Sequence, residues 1–310
     1  MPPSGKSLFW QKVTIVERKR MRKLALSDEI LMKVDKAARY IGGEVNSVMK
    51  DKNAVDIRFA MCFPDVYEIG MSNLGMMILY NMFNQREDVW CERLFSPWPD
   101  LDKVMREEKI PLFALESQEP IRDFDFLGIT IGYEMCYTNI LQVLDLSGIP
   151  LKSADRGEDF PIVIGGGACA YNPEPLAPFF DMFYIGEGET VYDALFDAYK
   201  ANKKAGGSRR DFLLAAAKIP GIYVPSLYEV TYKEDGTIAS FVPTADGVPE
   251  KVQKQLIIDM EKEYRAVEAP VVPHIKATQD RVTLEIQRGC IRGCRFCQAG
   301  MIYRPTRERD

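Results

Sequence analysis

The sequence predicts an α/β protein with a doubly wound parallel sheet, followed by the first strand and loop of a second α/β unit. Three observations carry that expectation. Short apolar runs without polar alternation recur from residue 57 to residue 185, as strands buried on both faces require. Segments with apolar residues at helical spacing lie between them. Turn residues end several of these runs, at Pro64-Asp65, Gly165-Gly166-Gly167 and Gly186-Glu187-Gly188-Glu189, and Gly148-Ile149-Pro150 stops one of the helical segments.

Residues 1–55 read as a charged, mostly helical leader. Val13-Thr14-Ile15-Val16 precedes the basic run Arg18-Lys19-Arg20-Met21-Arg22-Lys23, a solvated face on the usual reading of charge runs. Ser27 is a candidate N-cap for a helix carrying Ile30, Leu31 and Val34, which Gly42-Gly43 breaks. Residues 56–205 form the expected sheet unit. Ile57 to Phe63 is a buried strand by length and flanks, and a helix carrying Leu74, Met77, Ile78, Leu79 and Met82 follows. Val89 to Phe95, Leu112 to Leu115, Phe126 to Ile131, Ile162 to Ile164 and Asp181 to Ile185 are the later strands. Helices are placed from Thr138 to Gly148 and across Val191, Leu195 and Tyr199.

Residues 206–280 read as a linker. Within it Tyr228 to Tyr232 and Ile238 to Val242 flank Asp235-Gly236, a hairpin with a primed turn. Val271 to Lys276 looks extended, and Val282, Leu284 and Ile286 alternate on one face of a strand that opens the last segment, 281–310. One strand and a loop bury no core of their own. A chain ending at Asp310 therefore reads as truncated inside its second unit, with the cysteine loop weakly held.

The chain has 310 residues, 46% of them hydrophobic, which suffices for sizeable cores. Forty basic against 45 acidic residues leave a net charge of -5, no general signature of a nucleic-acid or anionic-membrane surface. No apolar run is long enough to span a bilayer, and Met1 to Lys12 lacks a signal-peptide core, so a cytoplasmic protein is expected. With one histidine, His274, a Ser-His-Asp triad or a multi-histidine metal site is nearly excluded.

Four of the seven cysteines, Cys62, Cys91, Cys136 and Cys169, are scattered in apolar contexts. The other three form Cys290-x3-Cys294-x2-Cys297, with Phe296 before the last thiol. An odd count clustered in this way does not resemble a disulfide framework. Three thiolates on one tight loop can hold three irons of a four-iron cluster and leave the fourth open to a small molecule. Arg288, Arg292 and Arg295 lie where they can offset the thiolate charge. A structural zinc site would need a fourth ligand, with His274 the nearest imidazole, and three unrelated thiols is the bland alternative.

On the loop Cys290-Ile291-Arg292-Gly293-Cys294-Arg295-Phe296-Cys297, the sequence resembles the radical S-adenosylmethionine enzymes. That resemblance implies a [4Fe-4S] cluster on Cys290, Cys294 and Cys297, with S-adenosylmethionine on the open iron. One electron would then release a 5′-deoxyadenosyl radical to act on a substrate that the sequence does not name. Asp65-x-Tyr67-x-x-Gly70 is similar to the cobalamin-binding fingerprint D-x-H-x-x-G, with tyrosine at the histidine position. Thr130 then stands where that fold has a serine, and Gly165, Gly166 and Gly167 would admit the nucleotide tail. Glu187 would face the ligand, while Phe296 would flank the cluster. Longer stretches, at Ala38 to Glu44, Phe63 to Ser72 and Asn172 to Ala177, look like a bacterial family of cobalamin-domain radical S-adenosylmethionine proteins, often fused or adjacent to a further domain. A phenol is a poor cobalt ligand, so the resemblance implies cobalamin without a nitrogen from this position, serving methyl transfer or a rearrangement.

Other readings stay open on the residues. Gly165-x-Gly167-x-x-Ala170 formally matches a dinucleotide fingerprint, although Asn172-Pro173-Glu174-Pro175 disfavours the helix it needs. The glycines can also be plain turns in a scaffold that binds nothing, and the whole chain can be a non-catalytic metal-binding or interaction module.

Overall fold

The computed structural model describes residues 23–263 and 266–310. Its main sheet has six strands: β1 (Ile57–Phe63), β2 (Val89–Phe95), β3 (Phe126–Thr130), β4 (Ile162–Gly166), β5 (Met182–Tyr184) and β6 (Ile222–Tyr223). The order is β2-β1-β3-β4-β5-β6, with β6 alone antiparallel to its neighbour. Chain direction across the sheet reverses between β1 and β3, which makes their carboxyl ends the switch point where such sheets place a ligand.

The longer helices are α1 (Leu74–Gln85), α2 (Pro99–Glu108), α3 (Tyr137–Leu146), α4 (Tyr192–Lys204) and α5 (Arg209–Ala216). Every residue of β1 is buried. Phe59 and Met61 face one core, with Met76, Tyr80 and Phe83 of α1 and Phe196 of α4. Ala60 and Cys62 face the other, with Leu101 of α2 and Ile140, Val143 and Leu144 of α3. Fully burying each large side chain contributes about 1.5–3 kcal/mol, so the two faces together drive the layering. Asn73 starts α1 by accepting the Met76 amide at 2.9 Å. Pro99 with Asp100 and Asp102 starts α2, and Ser208 with Asp211 forms a capping box on α5.

β1 and β2 lie where the apolar runs put them, but five expectations are corrected. Leu112 to Leu115 is not a strand: between Pro111 and Pro120 it makes one isolated bridge, Phe113 to Pro120, across a turn with Gln118 at φ 64°. The described part of the leader is irregular rather than mostly helical. Its helical parts are the α-turn Asp28–Leu31, capped by Ser27, and the 3₁₀ turn Ala37–Arg39, and Leu26, Ile30 and Val34 are buried against the sheet unit instead. Its earlier runs, Val13 to Val16 and Arg18 to Arg22, lie outside the described residues. The sheet unit runs past residue 205, because α5 buries Phe212 and Ala216 in the core and β6 extends the sheet. The hairpin β7 (Tyr228–Tyr232) and β8 (Ile238–Pro243) forms, with Gly236 at φ 81°. Its turn is not primed: the Gly236 amide bonds Lys233 O and only the glycine has positive φ, a three-residue loop with a glycine bulge.

Val282, Leu284 and Ile286 are 81%, 81% and 71% exposed, and the strand expected there shrinks to β9 (Gln287–Arg288), paired with β10 (Arg307–Glu308). No helix among the described residues is long and apolar enough to cross a membrane.

Candidate functional site

A cavity of about 380 Å³ opens at the carboxyl ends of the strands, between the switch point and the segment that carries the cysteines. Phe59, Met61, Ile129 and Ile164 form its apolar floor, α1 supplies Leu74, Ile78 and Leu79, and Tyr192 closes one side. Gly128, Gly166, Gly167, Gly186 and Gly188 keep its walls free of side chains. At Gly166 an added Cβ would meet only Tyr184 O at 3.9 Å, so this glycine leaves open space. Gly167 has φ 102° and a Cβ there would crowd the Ile131 backbone at 2.9 Å, so its glycine is required by the turn itself. At Gly128 a Cβ would strike the Phe59 ring at 2.3 Å.

The mouth is polar. Glu187, Glu189, Glu285 and Arg288 line it together with Gly289 and Tyr303. Arg288 bonds Glu189 at 2.6 Å, Glu285 at 2.8 Å and Glu187 at 3.2 Å. Arg307 donates to both Glu187 oxygens, at 2.8 and 2.7 Å, and to Ile257 O at 2.6 Å. Burial alone would raise the Glu187 carboxyl, but the bonds from Arg307 and the Ile257 amide and the charge of Arg288 outweigh it and hold the group below its usual range.

The cysteine loop lies between β9 and β10. Gly289 and Gly293 both have positive φ, at 90° and 66°, and a Cβ on Gly289 would strike Tyr303 O and Pro305 O at 2.6 Å. Cys290 and Cys297 are half-buried, Cys294 is exposed, and the Gly300 amide points at Cys297 Sγ at 3.4 Å. Three thiols on such a loop match the donor chemistry of an iron–sulfur cluster. Among the described residues no three His, Cys, Asp or Glu side chains converge as a ready metal site, so the thiols are not gathered in advance.

Of the residues the sequence singled out, Thr130, Gly166, Gly167 and Glu187 line the cavity. Gly165 does not: a Cβ there would meet Phe183 and Ile131, so it packs inside the sheet. Asp65, Tyr67 and Gly70 are elsewhere. The Tyr67 side chain is 1% exposed and donates to Glu44 Oε1 at 2.9 Å, in a buried network where Arg93 bonds Glu44 at 2.7 Å and Glu116 at 2.6 Å. Burial, with the Glu44 charge, pushes the phenol well above its usual range and keeps it neutral. Tyr67 therefore cannot approach a cobalt face in this arrangement. Asp65 accepts from the Tyr133 hydroxyl at 2.6 Å, and a Cβ on Gly70 would strike Phe95 at 2.2 Å. Phe296 is 93% exposed and touches no part of the cavity. Arg288 pairs with three carboxylates, Glu187, Glu189 and Glu285. The turn after β4 leads into the 3₁₀ segment Ala168–Tyr171, so a dinucleotide site with a helix N-terminus is not built there.

Gly128, Glu189, Arg288 and Arg307 are the site residues that sequence reasoning missed or misassigned. The sequence singles out the acidic turn at 186–189 and Arg288 but not Arg307, and the pairings span 99 and 120 residues.

Residues 75–225 match the family described as "Radical SAM proteins, N-terminal". An uncharacterized protein of Methanocaldococcus jannaschii is 26% identical over 251 residues, which are 81% of this chain and 43% of that protein. The chain thus spans less than half the length of the relative it matches. A structure of the radical S-adenosylmethionine methyltransferase TsrM from Kitasatospora setae, with tryptophan and a S-adenosylmethionine analog bound, aligns with TM-score 0.32 and 14% identity over 58% of this chain and 29% of that one.

Proposed function

We propose that the chain carries the cluster loop and cofactor-binding unit of a radical S-adenosylmethionine enzyme. Cys290, Cys294 and Cys297 would hold three irons of a [4Fe-4S] cluster, with S-adenosylmethionine on the fourth. When bound, that pair supplies a one-electron route to an organic radical. The observation that carries the reading is the position of the cysteine segment: Gly289 and Tyr303, on either side of the thiols, form part of the mouth of the strand-end cavity.

The cavity suits a ligand part of nucleotide size, with an apolar floor for a flat ring and glycine walls for a backbone-close approach. We read it as the place of a cobalamin tail, which makes methyl transfer the favoured reaction class. Thr130 and Gly166 would flank the tail. A second reading, a scaffold domain without cobalamin, is favoured by one specific fact: Tyr67 is committed to Glu44.

Anaerobic reconstitution tests the first part. About four irons and four sulfides per chain are expected, as the cluster type demands, and replacing all three cysteines by Ala abolishes them. Uptake of one zinc instead, or a cluster retained in the triple variant, overturns the assignment. Cys62, Cys91, Cys136 and Cys169, all buried, are expected to be dispensable for it. Equilibrium dialysis with hydroxocobalamin tests the second part. No binding at tens of micromolar, about 6 kcal/mol of affinity, by a folded protein selects the scaffold reading.

A further inference from the structure

The cysteine loop is held by less apolar burial than its place over the cavity demands. Its stem is two residues long on each side, Gln287–Arg288 against Arg307–Glu308, and an isolated ladder of that size does not hold itself in water. The approach residues Val282, Leu284 and Ile286 are exposed and contribute little. What fixes the stem is charge. Arg288 on the entering strand and Arg307 on the leaving strand converge on one carboxylate, Glu187, with each side chain 10% exposed or less.

Glu187 is itself fixed from the sheet side. Its amide donates to Gln255 O at 3.0 Å, and its Oε2 accepts the Ile257 amide at 2.9 Å. The turn reaches the Gln255 segment, with which Gly186 makes an isolated parallel bridge, only because Gly186 has φ 137°: a Cβ there would strike Gln255 O at 2.3 Å. The carboxylate also lines the cavity. One side chain therefore touches the ligand space and both ends of the loop. Lys254 adds a support that does not involve Glu187, donating to Ile302 O at 2.9 Å and Arg304 O at 2.7 Å.

We propose that Glu187 is the positioning residue that sets the cysteine loop over the cavity, by clamping Arg288 and Arg307 at the two ends of the loop. The inference rests on the radical S-adenosylmethionine reading for the purpose of the loop. The carboxylate binds no iron; it fixes where the iron ligands stand relative to whatever occupies the cavity. An amide of the same shape keeps the size and loses the charge that gathers two guanidinium groups.

Hydrogen exchange of the whole chain, followed by mass spectrometry, tests it on the wild type, Glu187→Gln, Glu187→Asp, Arg307→Gln and the double Glu187→Gln/Arg307→Gln variant. In Glu187→Gln, amides of residues 289–306 are expected to exchange roughly tenfold faster or more, the scale of losing a charge-assisted hydrogen bond. Amides of β1 and β3 stay as slow as in the wild type. Glu187→Asp, which keeps the charge, recovers part of the protection. The double variant is faster than either single but by less than the two effects combined, because the singles share the Glu187–Arg307 contact while each also removes one of its own, to Arg288 or to Ile257 O. Unchanged loop exchange in Glu187→Gln, additive effects in the double variant, or equal acceleration through the sheet would each overturn the proposal. Iron and sulfide content, measured on the same proteins, keeps the two ideas apart: a wild type that binds no cluster sinks the proposed function and leaves the clamp to be judged by exchange alone.

Discussion

The phenol of Tyr67 donates to Glu44, which also receives Arg93, and both ionic side chains have no exposed surface. Tyr67→Phe removes one donor from a buried carboxylate and leaves the ring packed against Phe95. Urea unfolding at neutral pH should show a loss of about 1–2 kcal/mol, the usual cost of such a bond. Ligand affinity at the strand-end cavity should not move, since Tyr67 is not among its walls. A loss of affinity without a loss of stability would place the phenol at the ligand after all. The neighbouring glycines of the β4 turn separate by the same reasoning. Gly166→Leu points into open space and should fill the cavity with the fold intact, whereas Gly167→Ala strains a left-handed backbone against Ile131. Circular dichroism and thermal unfolding distinguish the two outcomes: the first variant melts like the wild type and binds nothing, and the second melts earlier.

At the level of elements, β1 and β2 were legible because strands buried on both faces leave near-continuous apolar runs of strand length, interrupted only by Arg58 in β1 and by Glu92-Arg93 in β2. Leu112 to Leu115 has the same composition and fails because strand identity needs a partner edge, which flanking prolines and a tight turn deny it. The leader was misread for a related reason. Ile30 and Val34 are spaced for a helix, but their burial comes from the sheet unit. That attachment has an ionic part: Glu68 accepts from Arg39 at 2.9 Å through both oxygens and from Lys36 at 2.9 Å. Burial alone would raise the carboxyl, yet the bonds from Arg39 and Lys36 hold it at about 2, against an ordinary 4.5. A lowered carboxylate stabilises the fold above its unfolded value, and that stability is lost as pH falls through the window from 4.5 to about 2. Glu68→Gln is therefore expected to be less stable by about 1 kcal/mol at pH 7, since solvent screens part of the pairing, with the difference from wild type shrinking across that window. Denaturant curves at a series of pH values check it, and a constant difference down to the acid end would contradict the pairing. Exchange of amides at 281–286 should be fast and at 57–63 slow, because the first segment has neither ladder nor burial and the second has both.

At the scale of the whole molecule, the cysteine loop was legible because its chemistry is local: three thiols within eight residues carry the pattern by themselves. The cavity was only half legible. Glycines at strand ends announce a close approach, but which of them face the ligand depends on the strand's pleat, and Gly165 and Gly166 fall on different sides. Glu187 and Arg307 are 120 residues apart, and no spacing rule connects them. The weakly held C-terminal segment expected from the sequence is instead joined to the sheet by that charged contact, with Ile302 and Arg307 buried beside it. This joining has a measurable consequence for ligand binding. A molecule that enters the cavity touches α1, the β3 and β4 ends, the 186–189 turn and the 285–289 stem at once, so it should stabilise the fold as a whole. Free ligand at about 100 times its dissociation constant adds about 2.7 kcal/mol, which for a domain of this size raises the melting temperature by several degrees. Hydroxocobalamin should produce that rise in the wild type and none in Gly166→Leu, and it should slow exchange at residues 289–306 in parallel. Binding seen by dialysis but without any rise in melting temperature would mean that the corrin sits on a surface unconnected to this cavity, and the site would have to be sought elsewhere.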